Sequence, residues 1–185
     1  MNKLILKRRT IRKFKQKLIP KTILMNCINA ARLAPSAANL QPLEYILVTE
    51  KLNRVFGCIK WAGYLRDGAP KKGEKPVAYI IVISNLKINK NAKYDVGLAI
   101  GNILITALEN GIASCIIGSL NIPRLSGYLK IPKNYAIELA IALGYPKQSS
   151  QEEILTKDIK YWLDKGGMLH VPKRKLTDIV HKENF

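Results

Sequence analysis

Acidic side chains are scarce in this chain of 185 residues: 13 aspartates and glutamates stand against 31 lysines and arginines, a formal net charge of +18. That balance argues against an acidic, solvating segment and brings an anionic ligand or a polyanion into view. Aromatic residues are few as well, at 7%. Most lie inside apolar runs, so the interleaving of cations with exposed aromatics that marks a nucleic-acid groove is missing. There are three cysteines, Cys27, Cys58 and Cys115, and two histidines, His170 and His181. An odd count in apolar or helical contexts reads as reduced, buried thiols of a cytoplasmic protein rather than a disulfide framework. No ligand spacing joins them to the histidines, so no metal site is expected. No apolar run approaches the ~20 residues of a membrane span. The opening "MNKLILKRRT" has too short an apolar stretch for a secretory leader. Internal repeats, a low-complexity linker and the glycine-rich dinucleotide fingerprint are absent too.

What is present is an apolar fraction of 48%, enough for a packed core. The length suits one domain over residues 1–185, with 146–185 as a C-terminal extension. A helix is predicted from Pro20 to just before Pro35, with Ile23, Cys27, Ala30 and Ala34 on one face of "KTILMNCINAARLA". "LEYILVTE" reads as a strand, and "VAYIIVIS" as a strand covered on both faces. "IASCIIGSL" and "AIELAIALG" supply two more. Residues 51–75 read as irregular, with "RDGAPKKGEKP" as a loop. The segment 94–110, "YDVGLAIGNILITALEN", is a helix that is apolar almost all round, and Gly111 follows in the usual cap position. Such a helix is buried in a large core or against another subunit; in a chain of this size it points to a homodimer. Beyond Pro146 the sequence turns polar, and such a tail is ordered only by docking. The fold class is therefore α+β, a central sheet carrying helices, with a terminal arm.

Two neighbouring stretches carry the chemistry. "RRTIRKF" at 8–14 holds Arg8, Arg9, Arg12 and Lys13, four cations in seven positions. Guanidinium forks suit phosphate oxygens, and Thr10 adds a hydroxyl donor. If this stretch is extended, Arg8, Thr10 and Arg12 project on one side and Arg9 on the other. Such a row can follow a long anionic ligand from a terminal phosphate towards a polar ring; read alone, a solvated cluster before a helix is the preferred reading. "PSAANLQP" at 35–42 is uncharged and pinned by prolines, and offers Ser36, Asn39 and Gln41 as neutral donors and acceptors. Its alanines leave room for a flat ligand to meet backbone. An ordinary helix-to-strand connection is the alternative.

In combination, "RRTIRKF", a helix ending "ARLAPSAANLQP" and the strand after it resemble the FMN-dependent nitroreductase family. The resemblance continues through "DVGLAIGNILITALENGIASCIIGSL", "IALGYP" and "HVPKRKL". It implies a nitroreductase-like fold, with a mainly antiparallel sheet, a homodimer and a C-terminal arm docked on the partner subunit. It also implies a site shared between subunits. Arg8, Arg9 and Thr10 would meet the FMN phosphate and ribityl end, and Lys173 and Arg174 would close over the phosphate. Arg12 would face the ring edge that becomes negative on reduction. Pro35, Ser36, Ala37 and Asn39, with Gln41 in support, would come from the other subunit. Gly118 would bring its N–H to flavin N5, with Ile117 against the ring edge; Trp61, Tyr64 and Leu65 are candidates to wall the flavin face, or else pack beneath a loop. The chain departs from many relatives at Ala37 and Ala38, which lack a second hydroxyl, and at Ile117, where a carboxylate is common. The implied activity is hydride transfer from NADH or NADPH to flavin and on to a nitroaromatic, a quinone or a free flavin. No side chain need act as acid, base or nucleophile. Alternatives are an FMN-binding dimer with specialised chemistry such as dehalogenation or flavin fragmentation, or with a storage or sensing role, and a basic nucleic-acid-binding protein.

Overall fold

The computed structural model describes residues 1–61, 63–65 and 68–183. A short helix α1 (Lys3–Lys7) is capped by Asn2, whose side chain accepts from the Leu4 N–H at 2.8 Å. An extended stretch leads into β1 (Phe14–Lys15), and α2 (Lys21–Arg32) starts directly after Pro20. Then come β2 (Leu43–Val48), α3 (Leu52–Phe56), β3 (Ala78–Asn85), α4 (Lys93–Glu109), β4 (Ala113–Ile117), α5 (Ile122–Leu129) and β5 (Tyr135–Pro146). Helix α3 falls inside the stretch expected to be irregular, and the first two residues of the expected "RDGAPKKGEKP" loop lie outside the described residues. Helix α5 is set by Asn121, whose Oδ1 accepts from Arg124 N–H at 3.2 Å, and by a proline in its first turn.

Strand β5 is the spine of an antiparallel sheet. β3 pairs along one flank of it and carries β2 outside, β4 pairs along the other at Ala140–Gly144, and the short β1 pairs at Tyr145–Pro146. Alternation along the strands sends side chains to two cores. Ile80, Val82, Ile141 and Leu143 meet Leu24, Cys27 and Ala31 of α2 and Ile100, Ile103 and Ala107 of α4. On the other face Tyr79, Ile81, Cys115 and Ile117 meet Phe14, Val55 and Leu125. Coverage on both sides is why β3 is an unbroken apolar run. The buried stripe of α2 is centred one position away from the predicted one. Leu24 and Ala31 join Cys27 in the core, while Ile23 and Ala34 pack against it half-buried and Ala30 stays partly exposed. Gly144 is required by packing: a Cβ there would lie 2.7 Å from the Cβ of Phe14.

Helix α4 buries one face only. Val96, Ala99, Ile100, Ile103, Leu104 and Ala107 lie on the sheet, whereas Tyr94, Gly97, Leu98 and Gly101 face outward. Gly111 ends it with φ +71°, as expected. The polar tail builds a small sheet from its own chain: β6 (Ser150–Ile154) pairs in parallel with β8 (Leu169–Lys173), and β7 (Trp162–Leu163) pairs antiparallel with β8. Leu169 and His170 are buried in it. Among the described residues no helix is long and apolar enough to cross a membrane.

Candidate functional site

The heptad touches β4 at one parallel bridge and ends in β1 on β5. Thr10 bridges Ser114, and Ile11 N–H donates to the Ser114 carbonyl at 3.0 Å. Ile11 and Phe14 drop into the second core, which fixes the stretch by its two apolar residues and leaves the cations at the rim. Arg8 is half-buried and has no carboxylate partner among the described residues. Burial, and then the charge of Arg9, push its guanidinium below the usual arginine range. Arg9 is committed instead: its side chain is largely buried, pairs with Glu152 of β6 and donates to the Arg8 carbonyl at 2.6 Å. Both arginines line a cavity of about 180 Å³ with Lys7, Ser114 and Ser150.

Arg12 opens elsewhere. Its guanidinium lies 4.5 Å from the centroid of the Tyr161 ring, and its backbone N–H donates to Gln148 Oε1 at 3.4 Å. With Trp61, Ile117, Gly118 and Tyr161 it lines a second cavity, of about 190 Å³. A Cβ at Gly118 would meet nothing within 4 Å, so a bound group can approach the backbone there. Tyr64 packs against Tyr161 with ring centroids 5.1 Å apart. The Cys115 thiol beneath this wall is pushed up to about 11 by burial, against a lesser pull from Arg12, and remains a thiol at neutral pH.

The uncharged loop is a third wall. Ser36 Oγ accepts from Gln41 N–H at 3.1 Å, and Gln41 Nε2 donates to Asn39 Oδ1 at 3.2 Å. Ala38, Asn39 and Gln41 all adopt positive φ, between +48° and +54°. Ala37 N–H donates to Asp95 Oδ1 at 3.0 Å, and a cavity of about 120 Å³ lies beneath, bounded in part by Pro35, Ser36, Gln41 and Asp95.

Within one chain the three walls thus line separate cavities. Thr10 is brought beside the arginines; Ile117 and Gly118 are brought to Arg12; Pro35 to Gln41 stand apart. Lys173 ends β8 in register with Ile154, and exposed Arg174 folds onto the Asp178 carbonyl. Neither the sequence spacing nor the motifs signalled Glu152, Gln148 or Tyr161, which reach the arginines from more than 130 positions away. Asp95 did leave a signal, as the acid in the first turn of an apolar helix. Among the described residues no cluster of side chains suits a metal ion.

Comparison with known proteins places this architecture. The model of the Nitroreductase family matches residues 5–145. A protein of Archaeoglobus fulgidus that bears the name NADH dehydrogenase/NAD(P)H nitroreductase is 30% identical, over 78% of this chain and 84% of its own length. An iodotyrosine deiodinase of Thermotoga neapolitana is 26% identical, over 76% of this chain and 85% of its own. An FMN-dependent nitroreductase of Clostridium difficile superposes with a TM-score of 0.71 at 25% identity, covering 98% of each chain. A structure from Desulfovibrio desulfuricans in complex with FMN gives 0.71 at 19% identity, covering 99% of this chain and 96% of that one.

Proposed function

The chain belongs to the nitroreductase family of oxidoreductases, and from that premise we propose that it is a cytoplasmic, homodimeric FMN enzyme that oxidises NADH or NADPH and reduces a small organic acceptor. One observation carries the reading: the phosphate wall, the ring-edge wall and the uncharged loop line separate cavities of one chain. Two copies, each lending its loop to the other, would complete two sites. The exposed face of α4 suits that assembly, since Leu98 is 48% and Tyr94 82% exposed on a helix whose glycines Gly97 and Gly101 permit close approach.

The residues present fit the cofactor. Bound FMN would supply the redox chemistry, accepting a hydride at N5 and passing electrons onward. Arg8 would neutralise the phosphate, which would in turn relieve a half-buried cation that has no counter-ion among the described residues. Arg12 would hold positive charge at the ring edge. Gly118 leaves the approach to its backbone clear, and Trp61 and Tyr161 line the same cavity, where they would shield the ring. Thr10 adds a hydroxyl near the arginines, while Lys173 and Arg174 would close over the phosphate. Pro35, Ser36, Ala37, Asn39 and Gln41 of the second subunit would line ring and ribityl chain without charge.

The absorbance spectrum of purified protein tests this: a yellow protein releasing FMN, bleached by anaerobic NADH or NADPH, is expected. A colourless protein that takes up no FMN overturns it. A second reading, reductive dehalogenation, is favoured by likeness to the Thermotoga deiodinase. Turnover with iodotyrosine in preference to nitroaromatics and quinones would select it.

A further inference from the structure

Asp95 is only 3% exposed, yet it sits in the first turn of α4 with one carboxylate oxygen lacking a partner among the described residues. Its other oxygen accepts from the backbone N–H of Ala37 at 3.0 Å. At the end of the loop the Asn85 N–H donates to the Pro42 carbonyl at 2.9 Å; between that anchor and Ala37 the bonds are local: Asn39 N–H to the Ser36 carbonyl at 3.0 Å, Leu40 N–H to the Ala37 carbonyl at 3.0 Å, Gln41 N–H to Ser36 Oγ, and Gln41 Nε2 to Asn39. Local bonds can shape a turn but cannot tie it to the body of the protein. This turn also needs holding, because Ala38 and Gln41 occupy the left-handed region without being glycine, at φ +48° and +52°. A buried carboxylate is a poor choice for stability alone, since burial penalises the charge and one oxygen goes unsatisfied. The start of a 17-residue helix softens that penalty through its dipole, and a charged acceptor makes the stronger hydrogen bond.

We propose that Asp95 is a positioning residue: its carboxylate clasps the Ala37 N–H and holds loop 35–42 in the strained shape that the flavin site requires. The flavin part rests on the proposed function; the clasp does not. Two substitutions break the same bond from opposite ends. Asp95→Ala removes the acceptor. Ala37→Pro removes the donor while leaving the backbone at ease, because Ser36 is already extended (φ −132°, ψ 155°) as the residue before a proline must be.

The test measures FMN affinity by fluorescence, amide hydrogen exchange over residues 36–41 and the thermal midpoint of the apoprotein, for Asp95→Ala, Ala37→Pro, the double variant and Asp95→Asn. Each single change is expected to weaken FMN about tenfold or more and speed loop exchange in the apoprotein, while the midpoint of Asp95→Ala stays level or rises. The double variant should lose no more than the worse single, since both remove one interaction. Asp95→Asn, whose amide oxygen still accepts, should recover part of the loss. Unchanged exchange over 36–41 in Asp95→Ala overturns the inference whether or not the protein binds FMN, and so do additive losses in the double variant. Should Asp95→Ala not fold, Ala37→Pro against Asp95→Asn gives the same two readouts. Wild-type protein that ignores FMN but loosens its loop on losing Asp95 would retain the clasp and remove only the proposed function.

Discussion

Arg8 and Arg9 are neighbours of one type with different employment. Arg9 is paired inside the chain with Glu152, while Arg8 has no such partner among the described residues and is pushed down by burial. Arg8→Ala is accordingly expected to cost about 10- to 100-fold in FMN affinity, the worth of a charge-assisted contact. Circular dichroism should show the fold intact, and an unchanged dissociation constant would move the phosphate elsewhere. At Gly144 the constraint is steric. The Phe14 ring and Cβ fill the space a side chain would need, so Gly144→Ala should destabilise by roughly 1–3 kcal/mol in urea unfolding. A loss below that range would mean that Phe14 yields easily.

Among the elements, the tail sheet has its own titratable core. His170 stacks on Trp162 at 4.0 Å with an interplanar angle of 9°. Its Nδ1 meets Glu153 and Gln151, and its Nε2 lies 3.3 Å from Asp164 Oδ2. Glu153, chiefly, and then Asp164 raise the imidazole above 6.5, despite some opposition from desolvation. A raised folded value means that the stabilisation is complete below pH 6.5 and fades as pH climbs through the folded value. Amide protection factors in β6 and β8, corrected for the intrinsic rise of exchange with pH, should therefore fall across that alkaline step, and His170→Gln should flatten the dependence. Local patterns made β2, β3, β5 and α4 legible in the sequence: an apolar run or a helical period is visible within a dozen residues. The tail sheet was not legible, because its parallel pair joins residues 19 apart in sequence, Ser150 to Leu169, across a polar stretch. The site divides in the same way. The arginines and the neutral loop stand out by residue type and Gly118 only through the family resemblance, whereas Glu152 and Tyr161 act through contacts made only after folding.

For the molecule as a whole, the question is what covers α4. Leu98, Tyr94 and the nearby Leu33 leave too much apolar surface for a helix whose opposite side already fills a core. Leu98→Asp is expected to give a folded monomer by light scattering that has lost most of its FMN. A dimer of unchanged mass would place the interface on another surface. The shape of the sheet has a last bearing on durability. The arginine stretch, through the bridge from Thr10 to Ser114, and Gly118, just past the end of β4, both hang from one flank of β5. Flexing or lengthening on the β2–β3 side therefore leaves the spacing between guanidinium and glycine untouched. A slip of one residue along the working flank would displace both at once, and loop grafts intended to alter acceptor choice are better made on the side that carries neither.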